Sequence, residues 1–156
     1  VSHIDGSDTS ITSNDTEVYM IKRLAPELYY STGYTIEYGN ESGQATSSST
    51  VLFSSAFTYV DSSANEYPLS YIRDNGNGGL EVYTSINGAE TVLNSNFGSI
   101  NYTTGQVIIN GLKTSNYGDY ISLYMITKNK DIIVSQNKIL LFDSNDITIS
   151  LIEKLN

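Results

Sequence analysis

Residues 96–111 read N-F-G-S-I-N-Y-T-T-G-Q-V-I-I-N-G, the most informative run in the chain. Residues 97–102 predict one strand and 106–110 a second. Thr103-Thr104-Gly105 makes a loop of about three residues, with glycine supplying the positive φ that short hairpins need. Val107 and Ile109 fall on one face, Gln106 and Asn110 on the other, where Ile108 interrupts the polar row. Successive side chains of a strand point to opposite faces, so this strand is expected to be buried mainly on one side. The run predicts an antiparallel β module and, as physics alone, says nothing of what the module does.

Strands continue on both sides of it. Residues 119–127 alternate Ile121, Leu123 and Met125 against Tyr120, Ser122 and Tyr124, and 128–130 mark a turn. Residues 131–134, 138–142 and 146–153 predict further strands, with Asp143-Ser144-Asn145 as an Asx-type turn. Upstream, 69–73 and 80–84 form a hairpin across Asp74-Asn75-Gly76-Asn77-Gly78-Gly79. Residues 85–90 turn the chain again at Asn87-Gly88, and 91–93 form a short strand. Residues 111–118 read as a loop. Residues 50–60 predict a strand broken at Ser54-Ser55, and Pro68 holds Tyr67 extended. Residues 28–38 predict a strand with Gly33 at a bulge or bend. Residues 16–24 fit either a helical turn or a strand, and strand is the preferred reading; Pro26 ends either one.

The fold expected is therefore all-β or mainly β, with α+β as the alternative. About ten short strands, with few or no helices, would form an antiparallel meander, sandwich, barrel or twisted β domain. Residues 1–26 are expected to be a polar N-terminal arm or linker holding the one ambiguous element, and 27–156 the β domain. The chain begins at Val1 rather than Met, so a processed product or a piece of a longer protein is expected.

Bulk composition excludes several classes. The 156 residues suffice for a core without staples, and with no cysteine there is neither a disulfide framework nor a thiolate metal site. A net charge of −9, from 17 acidic and 8 basic residues, argues against nucleic acid or an anionic membrane as partner. No run approaches the roughly 18 apolar residues of a membrane-spanning helix. Aromatics are 13 Tyr and 4 Phe with no Trp, and tyrosine suits strands and interfaces because its ring packs while its hydroxyl stays wet.

No constellation for catalysis stands out. His3 is the only histidine and lies in the polar arm. Asp74-Asn75-Gly76-Asn77-Gly78-Gly79 resembles a calcium loop at first sight, but Gly76 and Gly78 occupy positions where oxygen ligands are needed, so a hairpin turn explains it better. Glu37 and Glu81, placed on neighbouring strands, would be candidate paired carboxylates for glycoside hydrolysis, a chemistry that needs a defined separation in a cleft. No catalytic, cofactor or metal residue, and no small-molecule substrate, is expected.

Four stretches, in order, resemble one known family. They are Tyr34-Thr35-Ile36-Glu37-Tyr38, then residues 72–83 (I-R-D-N-G-N-G-G-L-E-V-Y), then 97–112 (F-G-S-I-N-Y-T-T-G-Q-V-I-I-N-G-L). The last is 129–146, especially Ser135-Gln136-Asn137-Lys138-Ile139-Leu140-Leu141-Phe142-Asp143, with Ile147-Thr148-Ile149 following. Together they resemble the C-terminal part of the large baseplate wedge subunit of T-even-type contractile-tailed phages, over roughly residues 28–153; 1–26 add nothing. The resemblance implies a structural, non-enzymatic component of the virion tail baseplate, assembled in the host cytoplasm. It implies that copies join to each other and to other wedge proteins in a ring that rearranges when the sheath contracts.

A two-fold dimer needs one self-complementary patch. That patch is expected at a strand edge or rim late in the chain, with Tyr117, Tyr120 and Tyr124 as members. The alternative from another class is a carbohydrate-binding or adhesin-type β sandwich, since acidic, cysteine-free and Tyr/Asn/Thr-rich describes those modules as well.

Overall fold

A computed structural model describes residues 19–43 and 49–128. Ten strands follow one another: β1 (Tyr19–Leu24), β2 (Thr32–Glu37), β3 (Leu52–Ser54), β4 (Phe57–Val60), β5 (Glu66–Asp74), β6 (Gly79–Ile86), β7 (Ala89–Asn101), β8 (Gln106–Leu112), β9 (Thr114–Asn116) and β10 (Ile121–Ile126). All pair antiparallel, and the described residues contain no helix. Neighbours run β1-β10-β3-β5-β6-β7-β8-β2, while β4 pairs with β5 and β9 off that path. The sheet curls into a nearly closed barrel. Residues 38–43 carry the chain from the end of β2 across to β10. Tyr38 N–H donates to Gly105 O (3.0 Å), Ser42 N–H to Tyr102 O (2.8 Å) and Gly43 N–H to Ile126 O (2.8 Å).

The opening hairpin is β7–β8, closed by the Asn101–Gln106 pair. Val107 and Ile109 are buried and Ile108 faces solvent, as alternation requires. Glycine is needed at Gly105 for two reasons: φ is +68°, and a Cβ there would collide with the Asn40 carbonyl oxygen. Gly98 is needed because a Cβ would strike the Ile108 carbonyl oxygen across the ladder. Inward positions of the other strands fill the barrel: Ile72 (β5), Leu80 and Val82 (β6), Leu112 (β8), and Ile121, Leu123 and Met125 (β10) are fully buried.

The turn after β5 is a clamp. Asn75 Oδ1 accepts from the Asn77 and Gly79 N–H groups (2.9 and 3.0 Å), as an Asx-type hairpin turn does. Asp74 is buried, with both carboxylate oxygens engaged. Oδ1 accepts from Val51 and Leu52 N–H, each 2.8 Å. Oδ2 accepts from the Tyr102 hydroxyl (2.9 Å) and Gly76 N–H (3.2 Å). The Tyr102 oxygen in turn accepts from Gly78 N–H (3.1 Å). One carboxylate thus ties together the start of β3, the β5–β6 turn and the β7–β8 turn.

Several boundaries differ from expectation. The ambiguous element before Pro26 is a strand within the sheet, β1 against β10. Residues 28–31 precede β2 instead of belonging to it, and Gly33 does mark a register shift against β8. The break in 50–60 falls at Ser55-Ala56 and separates two strands that both pair with β5 but have different second partners, β10 for β3 and β9 for β4. Residues 91–93 and 97–102 do not form separate strands; they run through β7, whose register shifts twice against β6. The loop expected over 111–118 contains β9. Glu37 and Glu81 do not lie on neighbouring strands, since β7 and β8 separate β6 from β2. His3 and the strands and turn expected over 131–153 lie outside the described residues.

Candidate interface on the outer face of the sheet

Inward parity in β3, β5 and β6 is set by Leu52, Ile72, Leu80 and Val82. Counting from them, Ser54, Ser70, Asp74 and Thr84 also fall inward, and the outward positions carry Phe53, Tyr71 and Tyr83 with Arg73 and Glu81 among them. Ser54, Ser70 and Thr84 are buried. Ser54 Oγ accepts from Ile72 N–H (2.8 Å), Ser70 Oγ donates to Tyr67 O (2.8 Å) and Thr84 Oγ1 donates to Pro68 O (3.0 Å). Hydroxyls so paired are tolerated in the core because none is left unsatisfied. Phe53, Tyr71, Arg73, Glu81 and Tyr83 therefore stand on the outer face, where a solvated antiparallel sheet ordinarily shows short polar side chains.

The rings form a belt. Phe53 stacks on Tyr124 of β10, centroids 5.2 Å apart and planes 14° off parallel, and Tyr19 of β1 meets Phe53 edge-on at 5.6 Å. Phe53 is paired with Arg73 across the β3–β5 ladder. The Arg73 guanidinium carbon lies 4.1 Å from the Tyr83 ring centroid, and Tyr83 stacks on Tyr71 at 5.5 Å and 27°. Arg73 is also bonded to Glu81 (2.7 Å) and Glu90 (2.6 Å). Val92, exposed on β7, is paired with Tyr83. From β1 to β7 the belt crosses five strand spacings, about 24 Å at ~4.8 Å each.

The electrostatics of the belt follow from this packing. Burial alone would lower the Arg73 pKa, but the bonds and charges of Glu81 and Glu90 outweigh it and raise it. Burial raises the Tyr83 hydroxyl, against the opposing pull of Arg73. Arginine stays charged throughout, so the belt is a fixed cationic centre flanked by two carboxylates and framed by rings.

The three expected interface tyrosines do not share one environment. Tyr124 lies on the outer face of β10, and Tyr120 immediately precedes that strand, four residues away. Tyr120 is 51% exposed, with the Arg23 guanidinium carbon 6.0 Å from its ring centroid. Tyr117 is instead a brace: it is half-buried, packs against the core and donates its hydroxyl to Pro26 O (2.7 Å). Tyr83 belongs to the set of tyrosines that the sequence offers for an interface or a sugar-binding surface, whereas Phe53 and Arg73 are not among the expected interface residues. The parity of L-S-Y-I-R-D and G-L-E-V-Y-T carried the signal, because placing Ile72, Leu80 and Val82 inside forces their neighbours out.

As for other chemistry, the described residues contain no group of three or more His, Cys, Asp or Glu side chains able to hold a metal. The Glu37 carboxylate accepts from Gln106 Nε2 (2.6 Å) and Glu81 is held by Arg73. No family model, curated protein or solved structure matches the chain.

Proposed function

We propose that this chain is a non-enzymatic assembly module, part of a contractile-tail baseplate wedge subunit, that pairs with a second copy of itself through the outer aromatic belt and joins other wedge proteins in the virion. The observation that carries this reading is the outer face of β3, β5 and β6, which carries Phe53, Tyr71, Arg73 and Tyr83 while Leu52, Ile72, Leu80 and Val82 fill the inner face with Ser54, Ser70 and Thr84 beside them. Tyrosine and arginine are the residues that concentrate binding energy in protein interfaces, and charged residues are otherwise depleted at interface centres. The belt is one continuous patch, which a self-complementary two-fold contact needs. The four-stretch resemblance supports the same reading from the sequence side.

Ring geometry favours protein over sugar on this face. At 5.2 and 5.5 Å the rings stack in pairs, so one π face of each is turned to its partner, and Tyr83 also meets the Arg73 guanidinium. With these faces taken, the tyrosine hydroxyls are left to hydrogen-bond another protein.

Sedimentation velocity over a wide range of concentration tests the proposal. The expected result is a reversible dimer that Tyr124→Ala weakens by about 2 kcal/mol, roughly 30-fold. A strict monomer refutes the belt as a self-association surface. So does a dimer that Tyr120→Ala and Tyr124→Ala both leave unchanged.

A further inference from the structure

The segment between β1 and β2 presents a second feature, away from the stacked rings. Leu28, Tyr29 and Tyr30 are 44%, 59% and 62% exposed in succession. Tyr30 N–H approaches Glu27 O (3.4 Å), closing a turn whose third residue, Tyr29, has φ +65°. Glycine is the residue that ordinarily fills that position, because a side chain there crowds the following carbonyl. The Tyr29 N–H is anchored to Thr114 O (2.7 Å) and the Tyr117 hydroxyl to Pro26 O (2.7 Å), so the strained turn is held from two sides by the β8–β10 connection. Strain and exposed rings together are costly, and a bulky residue kept in this conformation points to use of its side chain.

The geometry points to a carbohydrate-binding site at the 27–31 turn, with Tyr29 and Tyr30 stacking on the apolar faces of a pyranose and the Glu27 carboxylate and Ser31 hydroxyl bonding its hydroxyls. Three observations argue for a sugar over a protein partner. Among the described residues neither Tyr29 nor Tyr30 stacks on another ring, unlike the rings of the belt, and both are more than half exposed. Hydroxyl-directed acceptors flank the rings, and Glu27 and Ser31 are exposed within the same turn. The area is also small. Two tyrosines at about 120 Å² each, with Leu28, offer roughly 300 Å², far below the ~800 Å² per partner of a stable protein interface and enough for one or two sugar rings.

The experiment is binding of the full chain to a glycan array spanning gluco-, galacto-, manno- and N-acetylhexosamine oligosaccharides, followed by titration of the best-bound oligosaccharide. Saturable binding is expected, weakened about fivefold or more by Tyr29→Gly and by Tyr30→Ala. Tyr29→Gly relieves the turn, so its loss of binding would come with equal or greater thermal stability and cannot be ascribed to unfolding. Tyr124→Ala should leave sugar binding unchanged, which separates this site from the proposed dimer surface. Absence of saturable binding to every oligosaccharide overturns the inference. Binding that Tyr29→Gly and Tyr30→Ala leave intact overturns it too, as does a loss of dimer in Tyr29→Gly without any sugar bound.

Discussion

Asp74→Asn is the sharpest test of how the barrel is held together. The carboxylate receives four donors: Val51 and Leu52 N–H on Oδ1, Tyr102 O–H and Gly76 N–H on Oδ2. An amide has one acceptor oxygen. Its best placement keeps the oxygen toward Val51 and Leu52 and sets the NH₂ against Gly76 N–H and Tyr102. The Gly76 donor then loses its acceptor, and the Tyr102 hydroxyl, already accepting from Gly78 N–H, must reverse to receive the new N–H. Losing one bond to a charged group costs about 1.5–3 kcal/mol, and the retained bonds lose their charge assistance. The sum is about 3 kcal/mol, a large share of the roughly 5–15 kcal/mol of a typical domain, and about 10 °C in Tm. Denaturant unfolding, followed by far-UV circular dichroism, reads it as a lower midpoint at unchanged slope. Tyr102→Phe should cost less, about 1–2 kcal/mol, and the two substitutions should couple by 0.5 kcal/mol or more in a double-mutant cycle. If Asp74→Asn stays within about 0.5 kcal/mol of the parent, the clamp is not what holds β3 to the two turns.

Three further predictions follow from other parts of the barrel. Gly98→Ala forces a methyl against the Ile108 carbonyl and should destabilise by ~2 kcal/mol on thermal unfolding, more than an alanine at exposed Ser99. Burial first, then its bond to the Asp74 carboxylate, raises the Tyr102 pKa from 10.0 to about 12. A raised folded-state pKa contributes stability that is full below 10.0 and fades as pH climbs toward 12, so alkaline titration should show a loss of stability in that window, part of which Tyr102→Phe removes. Leu123→Ala, on the fully buried side of β10, should cost about 2–5 kcal/mol, whereas Ser122→Ala beside it should fall within ~0.5 kcal/mol if only parity matters.

Strand parity and turn chemistry were open to reading because both are local. Whether a side chain points in or out depends on its neighbours two residues away, and Asn87-Gly88 and Gly105 sit where left-handed backbone is required. Hence the β7–β8 hairpin, the β5–β6 hairpin, the β6–β7 turn and the inward face of β10 stood in the chain as written. Composition likewise excluded thiolate metal sites before any fold was known. Sheet order was not accessible in this way. The places of β3 between β10 and β5, of β1 beside β10, and of β4 across β5 and β9 depend on pairings between residues far apart in sequence, which periodicity does not encode. The same holds for Asp74, which looked like one polar turn residue among several until tertiary packing set backbone N–H groups from 22 and 23 residues upstream against it. It holds also for the tyrosines, since each has the same chemistry in the sequence. Only the curl of the sheet made Tyr117 a brace, Tyr83 and Tyr124 parts of a belt, and Tyr29 an exposed ring on a strained turn.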